Sequence, residues 1–325
     1  TLAAARDLGY EYRVAVEMEY YLLPGDGSMP ERTQSSGYFS IGAEEVAATR
    51  DAVLTALQGM GIRVGGSHHE TGPGQEELDL VDVDALRMAD QLISVRQVIR
   101  SVARKFGLRA TFMPKPLEDA AGSGMHIFQG VTRIGTAIDA LGTAGNALLP
   151  EARWFIGGQL EHATGMMLVT NPTVNSYKRL NAGHRAPRYA TWARVSQSSL
   201  IRVPGWLDSD HAEIELRSPD AMANPYLALA VALAAGLDGV RNQTEPIDPY
   251  DESFISFDED DLERRAVPRL PSTLGEAIVA FGADPLMIQA VGGYIADQLI
   301  SVKTSEWEDY RAHVGPWELQ RYLDA

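Results

Sequence analysis

Three short stretches of this chain alternate apolar and polar positions with a period of two. In Val16-Glu17-Met18-Glu19-Tyr20 the two acids share one face and the three apolar residues the other, which predicts a strand. Ala212-Glu213-Ile214-Glu215-Leu216-Arg217 repeats the design, and Leu200-Ile201-Arg202-Val203-Pro204 sets one arginine in an apolar strand. Elsewhere the period changes to that of a helix. Glu44 to Met60 carries Val46, Val53, Leu54 and Leu57 at helical spacing before Gly61, and Asp84 to Phe106 carries Leu86, Leu92, Val95, Ile99 and Val102 before Gly107. Asn224 and Pro225 predict the cap and first turn of a helix running toward Gly236, and Thr273-Leu274-Gly275-Glu276 reads as a capping box. Met166, Met167 and Leu168 read as core, and the acidic, turn-rich run from Asp248 to Asp261 as a solvated loop.

Two carboxylates side by side on a packed face are costly unless cations or hydrogen bonds neutralise them, and a divalent metal is the usual neutraliser of clustered acids. A one-sided sheet with its acids in water is the other reading of Glu17 and Glu19 taken alone. Further segments favour the metal. His68-His69-Glu70 and Gln75-Glu76-Glu77 add acids, and Gly122-Ser123-Gly124-Met125-His126 places an imidazole just after a turn that lets backbone approach a ligand. An arginine in a buried strand, as at Arg202, needs an anionic partner. Acids, a histidine and strand-borne arginines together suit the handling of phosphate, with no glycine-rich P-loop and no dinucleotide fingerprint in the chain.

These segments, read in order, resemble the catalytic domain of the glutamine synthetase family. The likeness continues through Thr111-Phe112-Met113-Pro114-Lys115-Pro116, Thr170-Asn171-Pro172-Thr173-Val174-Asn175-Ser176-Tyr177-Lys178-Arg179-Leu180, Glu215-Leu216-Arg217-Ser218-Pro219-Asp220 and Asn224-Pro225-Tyr226-Leu227, to a last helix at Trp317-Glu318-Leu319-Gln320-Arg321-Tyr322-Leu323. The resemblance implies an α+β fold, a curved antiparallel sheet whose polar face holds metals and whose outer face carries helices, with residues 1–325 as one catalytic domain. It implies an ATP-dependent ligase that phosphorylates the side-chain carboxylate of glutamate and lets ammonia or an amine displace the phosphate, splitting a hard amide synthesis into two easier steps. Glu19, Glu70 and Glu77 would bind one Mg or Mn ion, and Glu17, His126 and Glu215 a second. Gly122 would meet glutamate, Arg179 and Arg217 would clamp its carboxylates, and Arg202, with Gln129, would serve the nucleotide.

The chain departs from the family at positions around the substrates. Where relatives that use ammonia carry Gly-Tyr-Glu-Ala-Pro in a flap, this chain has Gly183-His184-Arg185-Ala186-Pro187. Arginine repels ammonium and cannot act as a base near neutral pH, which leaves His184 as the candidate for proton removal and an organic amine as the favoured acceptor. Ala121 stands where the family has a glutamate-binding asparagine, Phe128 replaces a histidine, Gln197 replaces an arginine, and Glu213 stands in place of an arginine near the nucleotide phosphates. Changed recognition residues beside retained metal ligands suit altered specificity. A catalytically silent metal- or nucleotide-binding relative, and an ATP-dependent enzyme acting on a different acid, are the alternatives.

Composition adds bounds. At 325 residues and 45% hydrophobic the chain can bury a large core, and a net charge of −16 argues against nucleic-acid or anionic-membrane partners. The absence of cysteine excludes disulfides and thiol nucleophiles, and a cytoplasmic protein is expected. The resemblance places residues 1–325 in the catalytic domain and leads to the expectation that the family's smaller β-rich N-terminal domain is not among them; where it is supplied, a homo-oligomer with shared active sites is expected.

Overall fold

In a computed structural model, the structure describes residues 1–28, 44–136, 140–144, 147–181, 185–204, 213–251, 264 and 266–325. Its strands are β1 (Tyr10–Pro24), β2 (Val64–His69), β3 (Gln75–Asp84), β4 (Leu108–Thr111), β5 (Met125–Arg133), β6 (Thr143–Ala144), β7 (Ala147–Leu148), β8 (Trp192–Ala193), β9 (Ile201–Arg202) and β10 (Ile214–Leu216). Eight of them form one sheet in the order β2-β3-β1-β5-β10-β9-β8, with β4 paired to the far end of β1. All pairs in this sheet are antiparallel except β8 with β9. The sheet is thus antiparallel as expected, with one parallel pair at its edge. Both strands are two residues long, and the turn around Ser196 to Ser199, closed by the Ser199 hydroxyl donating to the Ser196 carbonyl (2.8 Å), returns the chain to its starting end.

Helices α1 (Leu2–Asp7), α2 (Glu44–Gly59), α3 (Ala85–Lys105), α4 (Pro150–Glu161), α5 (Ala163–Thr170), α6 (Val174–Asn181), α7 (Pro225–Asn242), α8 (Leu274–Gly282), α9 (Pro285–Val291), α10 (Gly293–Ala312) and α11 (Pro316–Tyr322) complete the described chain. α3 packs across β1, β3 and β4, and α7 packs on α3, α4, α5 and α9. The helices cover the apolar face of the sheet, where Val16, Met18, Tyr20, Leu78, Leu80, Ile127, Ile214 and Leu216 are all buried in one core. Met166, Met167 and Leu168 are core residues as expected.

Capping chemistry sets the helix starts. Asp84 accepts from the backbone N–H of Leu86 (3.0 Å) and Arg87 (3.3 Å), and Asn224 does the same for Tyr226 (3.0 Å) and Leu227 (3.3 Å). Thr273 accepts from Glu276 N–H (3.1 Å), while the Glu276 carboxylate reaches back to the N–H of Ser272 (2.7 Å), one residue before the capping position. α7 runs past Gly236, where the sequence suggests an end. Gly236 and Gly239 are packing positions: a Cβ on the first would strike the Phe155 ring and on the second the backbone of Gly158, so α7 and α4 cross at backbone contact. The helix ends instead at Gln243, which takes a left-handed φ of 55°. Most of the acidic run from Asp248, and Ala212 at the start of the predicted β10 segment, lie outside the described residues.

Candidate functional site

Strand register gathers the acids. In antiparallel pairs, residues opposite one another project from the same face. His68 on β2 pairs with Glu77 on β3, which pairs with Glu19 on β1. The neighbouring row runs Asp79 on β3, Glu17 on β1 and His126 on β5, and beyond it Phe128 on β5 pairs with Glu215 on β10, which pairs with Arg202 on β9. The period of two that puts Val16, Met18 and Tyr20 into the core thus puts an array of acids on the other face.

That face opens on a cavity of about 820 Å³ lined by Glu17, Glu19, Glu70, Glu77, His126, Gly122, Arg179, Arg202 and Arg217, nine of the residues singled out in the sequence. Glu215 lies just behind the wall, fully buried, and takes ion pairs from both Arg202 and Arg217. It is the anionic partner expected for Arg202, whose side chain is half-buried at the cavity wall. His126 Nδ1 lies 3.3 Å from a carboxylate oxygen of Glu17 and 3.3 Å from one of Glu215. Ligand atoms of these three residues all fall within 4.8 Å of one another. Burial, aided by Arg217, holds the His126 imidazole well below its ordinary pKa, so it is neutral, the form that ligates a metal.

The second cluster lies toward β2. His68 Nε2 stands 3.3 Å from Glu70 and 3.7 Å from Glu77, and the ligand atoms of His68, Glu77 and Asp79 also fall within 4.8 Å of one another. Burial and the charges of Glu19, Glu17, Glu70 and Asp79 push the Glu77 carboxyl up to about 11, and burial pushes Glu19 up to about 7. Carboxylates packed this closely without cations hold protons instead, the response expected of a site built for positive charge. Both clusters therefore fit divalent metal.

The loop carrying Gly122 and Gly124 is tied to the same acids. Gly124 N–H donates to a Glu19 oxygen (2.8 Å), and Glu19 N–H donates to the Gly124 carbonyl (3.1 Å). Neither glycine could carry a side chain, because Arg179 lies across both; a Cβ on Gly122 would come 2.6 Å from its Cγ. Arg179 itself donates to the carbonyls of Ser218 (2.7 Å), Pro219 (3.1 Å) and Arg217 (3.1 Å), bracing α6 against the exit of β10.

Two predicted positions stand apart. Gln129 is not at the cavity, a correction that the strand period explains: His126 and Phe128 share the polar face, so Gln129 falls on the core face. There it exchanges amide hydrogen bonds with Gln159 (3.1 and 2.7 Å) and accepts from the Tyr12 hydroxyl (2.9 Å). His184 lies outside the described residues, whereas its neighbour Arg185 lines the cavity.

Four residues of the site were given no role from the sequence, although three of them fall inside motifs quoted above. Gln75, buried, donates to Glu19 (3.1 Å) and to the Gly122 carbonyl (3.0 Å), joining the first cluster to the glycine loop. Lys115 lines the cavity and bonds the Ala120 carbonyl. His68 and Asp79 complete the second cluster. The alternation Gln75, Glu77, Asp79 was the available signal, and Gly66 opposite Asp79, where a Cβ would collide with that carboxylate, was another. On the core face behind them, Glu76 is held by Arg50 (3.1 Å) and His69 (3.0 Å).

No single helix among the described residues is long and apolar enough to cross a membrane. The family model described as glutamine synthetase, catalytic domain, matches residues 1–322. The glutamine synthetase of Halobacterium salinarum is 40% identical over 328 residues, covering 99% of this chain and 72% of that protein. That of Mycobacterium tuberculosis is 42% identical over 335 residues, covering 99% and 74%. Among solved structures, GmaS in complex with ADP superposes with a TM-score of 0.88 at 31% identity, over 100% of this chain and 75% of that one, and GmaS without ligand gives 0.86. The chain belongs to the glutamine synthetase family.

Proposed function

We propose that this chain joins the γ-carboxylate of glutamate to an organic amine at the expense of ATP. ATP and divalent metal are the family's requirements, and glutamate with ammonia or an amine its substrates. The finer reading, an organic acceptor and two Mg or Mn ions, rests on this chain's residues. Glu17, His126 and Glu215 would hold one ion and Glu19, Glu70 and Glu77 the other, with His68 and Asp79 beside them. These ions neutralise phosphate oxygens when bound.

The protein's own groups do the rest. Gly122 offers backbone where glutamate would enter, and Arg179 and Arg217 line the same cavity, where the N–H groups they do not already give to the Ser218, Pro219, Arg217 and Gln197 carbonyls and to Glu215 would meet its carboxylates. Arg202, a fixed cation at the cavity wall, suits the phosphoryl group passing from ATP to the γ-carboxylate oxygen. The amine nitrogen then attacks the acyl carbon. A C–N bond forms, the C–O bond to phosphate breaks, and the phosphate leaves with the electron pair. One proton leaves the ammonium form for solvent before attack, and the nitrogen yields a second to the departing phosphate.

The observation that carries the reading is the array of acids from β1, β3 and the turn after β2 facing one cavity with His126 of β5, with a cation at Arg185 where ammonium users keep an acid. GmaS, a γ-glutamylmethylamide synthetase, supports an amine as acceptor. Hydroxylamine tests the first half-reaction, because it traps an activated γ-carboxyl whatever the natural amine. Hydroxamate that requires ATP, glutamate and Mg or Mn together is the expected product; none with either metal would remove the ligase reading. An oligomer that shares active sites is the matching proposal for the assembled enzyme.

A further inference from the structure

The cations of the cavity have protein partners, with one exception. Arg202 and Arg217 turn onto Glu215, Arg179 donates to three backbone carbonyls, and Lys115 bonds the Ala120 carbonyl. Arg185 lines the same cavity with no hydrogen bond or ion pair to any described residue. Its backbone is held at φ 57°, a left-handed conformation that a side chain bearing a Cβ disfavours and that recurs where structure is arranged for a ligand. A guanidinium cannot shed its charge, so any molecule that fills the cavity must match it or suffer its repulsion.

We propose that Arg185 binds an anionic group on the acceptor, which makes the acceptor an amino acid or a related amino carboxylate. This inference rests on the ligase reading and adds the acceptor's chemical class. Arg185 lines the same cavity as Gly122, Arg179 and Arg217, where glutamate would sit, so the acceptor's amine end can lie toward glutamate while the planar fork of Arg185 suits its carboxylate bidentately. Ammonia has nothing to offer Arg185. A diamine brings a second cation against it, a repulsive element of the kind that sets specificity. The transfer is that of the general reaction: the acceptor's nitrogen forms the C–N bond as phosphate departs, and its distal carboxylate takes no part beyond binding.

The test uses glycine, β-alanine and γ-aminobutyrate, each against the alkylamine and the diamine of matching length. Hydroxylamine serves as the common reference. The wild-type enzyme should favour the carboxylate-bearing member of a series. Arg185→Gly removes the guanidinium and suits the positive φ; it should lower the ratio of kcat/KM for that member to kcat/KM for hydroxylamine by about tenfold or more, the scale of one charged hydrogen-bonding partner. The change should appear in KM for the acceptor. Arg185→Glu should turn the preference toward the diamine. Hydroxamate formation without preference for the carboxylate member, or an Arg185→Gly effect falling on KM for glutamate or ATP, would overturn the inference and leave the ligase reading standing. Absence of hydroxamate would overturn both.

Discussion

Glu77 is where the acid array is most costly to the metal-free protein, and Glu77→Gln should therefore stabilise it. The carboxyl goes from an ordinary pKa of 4.5 to about 11 on folding, driven by burial and then by Glu19, Glu17 and Glu70. An acid whose pKa rises on folding binds more protons in the folded state, so stability is greatest below 4.5 and falls as pH rises from there toward 11. Over the interval from 4.5 to neutral pH, at about 1.36 kcal/mol per pH unit, the loss is about 3 kcal/mol. The side chain is only 9% exposed, so solvent screening removes little of it. Glutamine mimics the protonated acid and escapes the loss. With an unfolding entropy of about 2.1 cal/mol/K per residue, 3 kcal/mol across this chain corresponds to about 4 °C in Tm. Urea or thermal unfolding in EDTA at pH 5 to 8 should show the variant more stable at pH 7 and flatter with pH. Mn at about 100 times its Kd should add about 2.7 kcal/mol to the wild type and much less to the variant. A variant no more stable in EDTA, or one that gains as much from Mn, would refute the electrostatic reading of this cluster.

Glu215→Gln should cut amine-dependent ATP turnover by at least about 100-fold, the upper range for losing support of a metal site, and should also lower stability because Arg202 and Arg217 lose a charged partner; steady-state kinetics with unfolding curves will separate the two effects. His162 lies 2.8 Å from Asp284 and 3.4 Å from Asp238; burial alone would lower its pKa, but the two acids outweigh burial and raise it above 6.5. Its contribution should be complete below pH 6.5 and fade as pH rises through the folded value, a slope that His162→Gln removes in denaturation measured from pH 5 to 9. Gly239→Ala should destabilise by about 1–3 kcal/mol or more, read as a lowered urea midpoint, because its Cβ would meet the backbone of Gly158.

Much of the site was legible because period-two alternation is a strict code. It places Glu17 and Glu19 opposite Val16, Met18 and Tyr20, and the same code, applied to β5, would have kept Gln129 out of the nucleotide assignment. What the code lacks is register between strands. Nothing in the sequence says that His68 faces Glu77, which depends on the register of the β2–β3 hairpin, or that Asp79 faces Glu17 and Gln75 reaches Gly122, contacts fixed by hydrogen bonding between segments far apart in the chain. Helix starts were readable from Asp84 and Asn224, whose side chains act locally. The end of α7 was not, because Gly236 and Gly239 answer to α4 across the interface rather than to their own helix. The parallel edge of β8 and β9 rests on a turn with no distinctive sequence.

Phosphate release from ATP, measured with Mg or Mn while glutamate and a panel of amines are supplied singly and together, tests the central claim most directly. Release that needs glutamate and one amine jointly, in step with one γ-glutamyl amide formed per phosphate, is the predicted result. Release that proceeds equally without glutamate, or none with any amine in the presence of both metals, would contradict it.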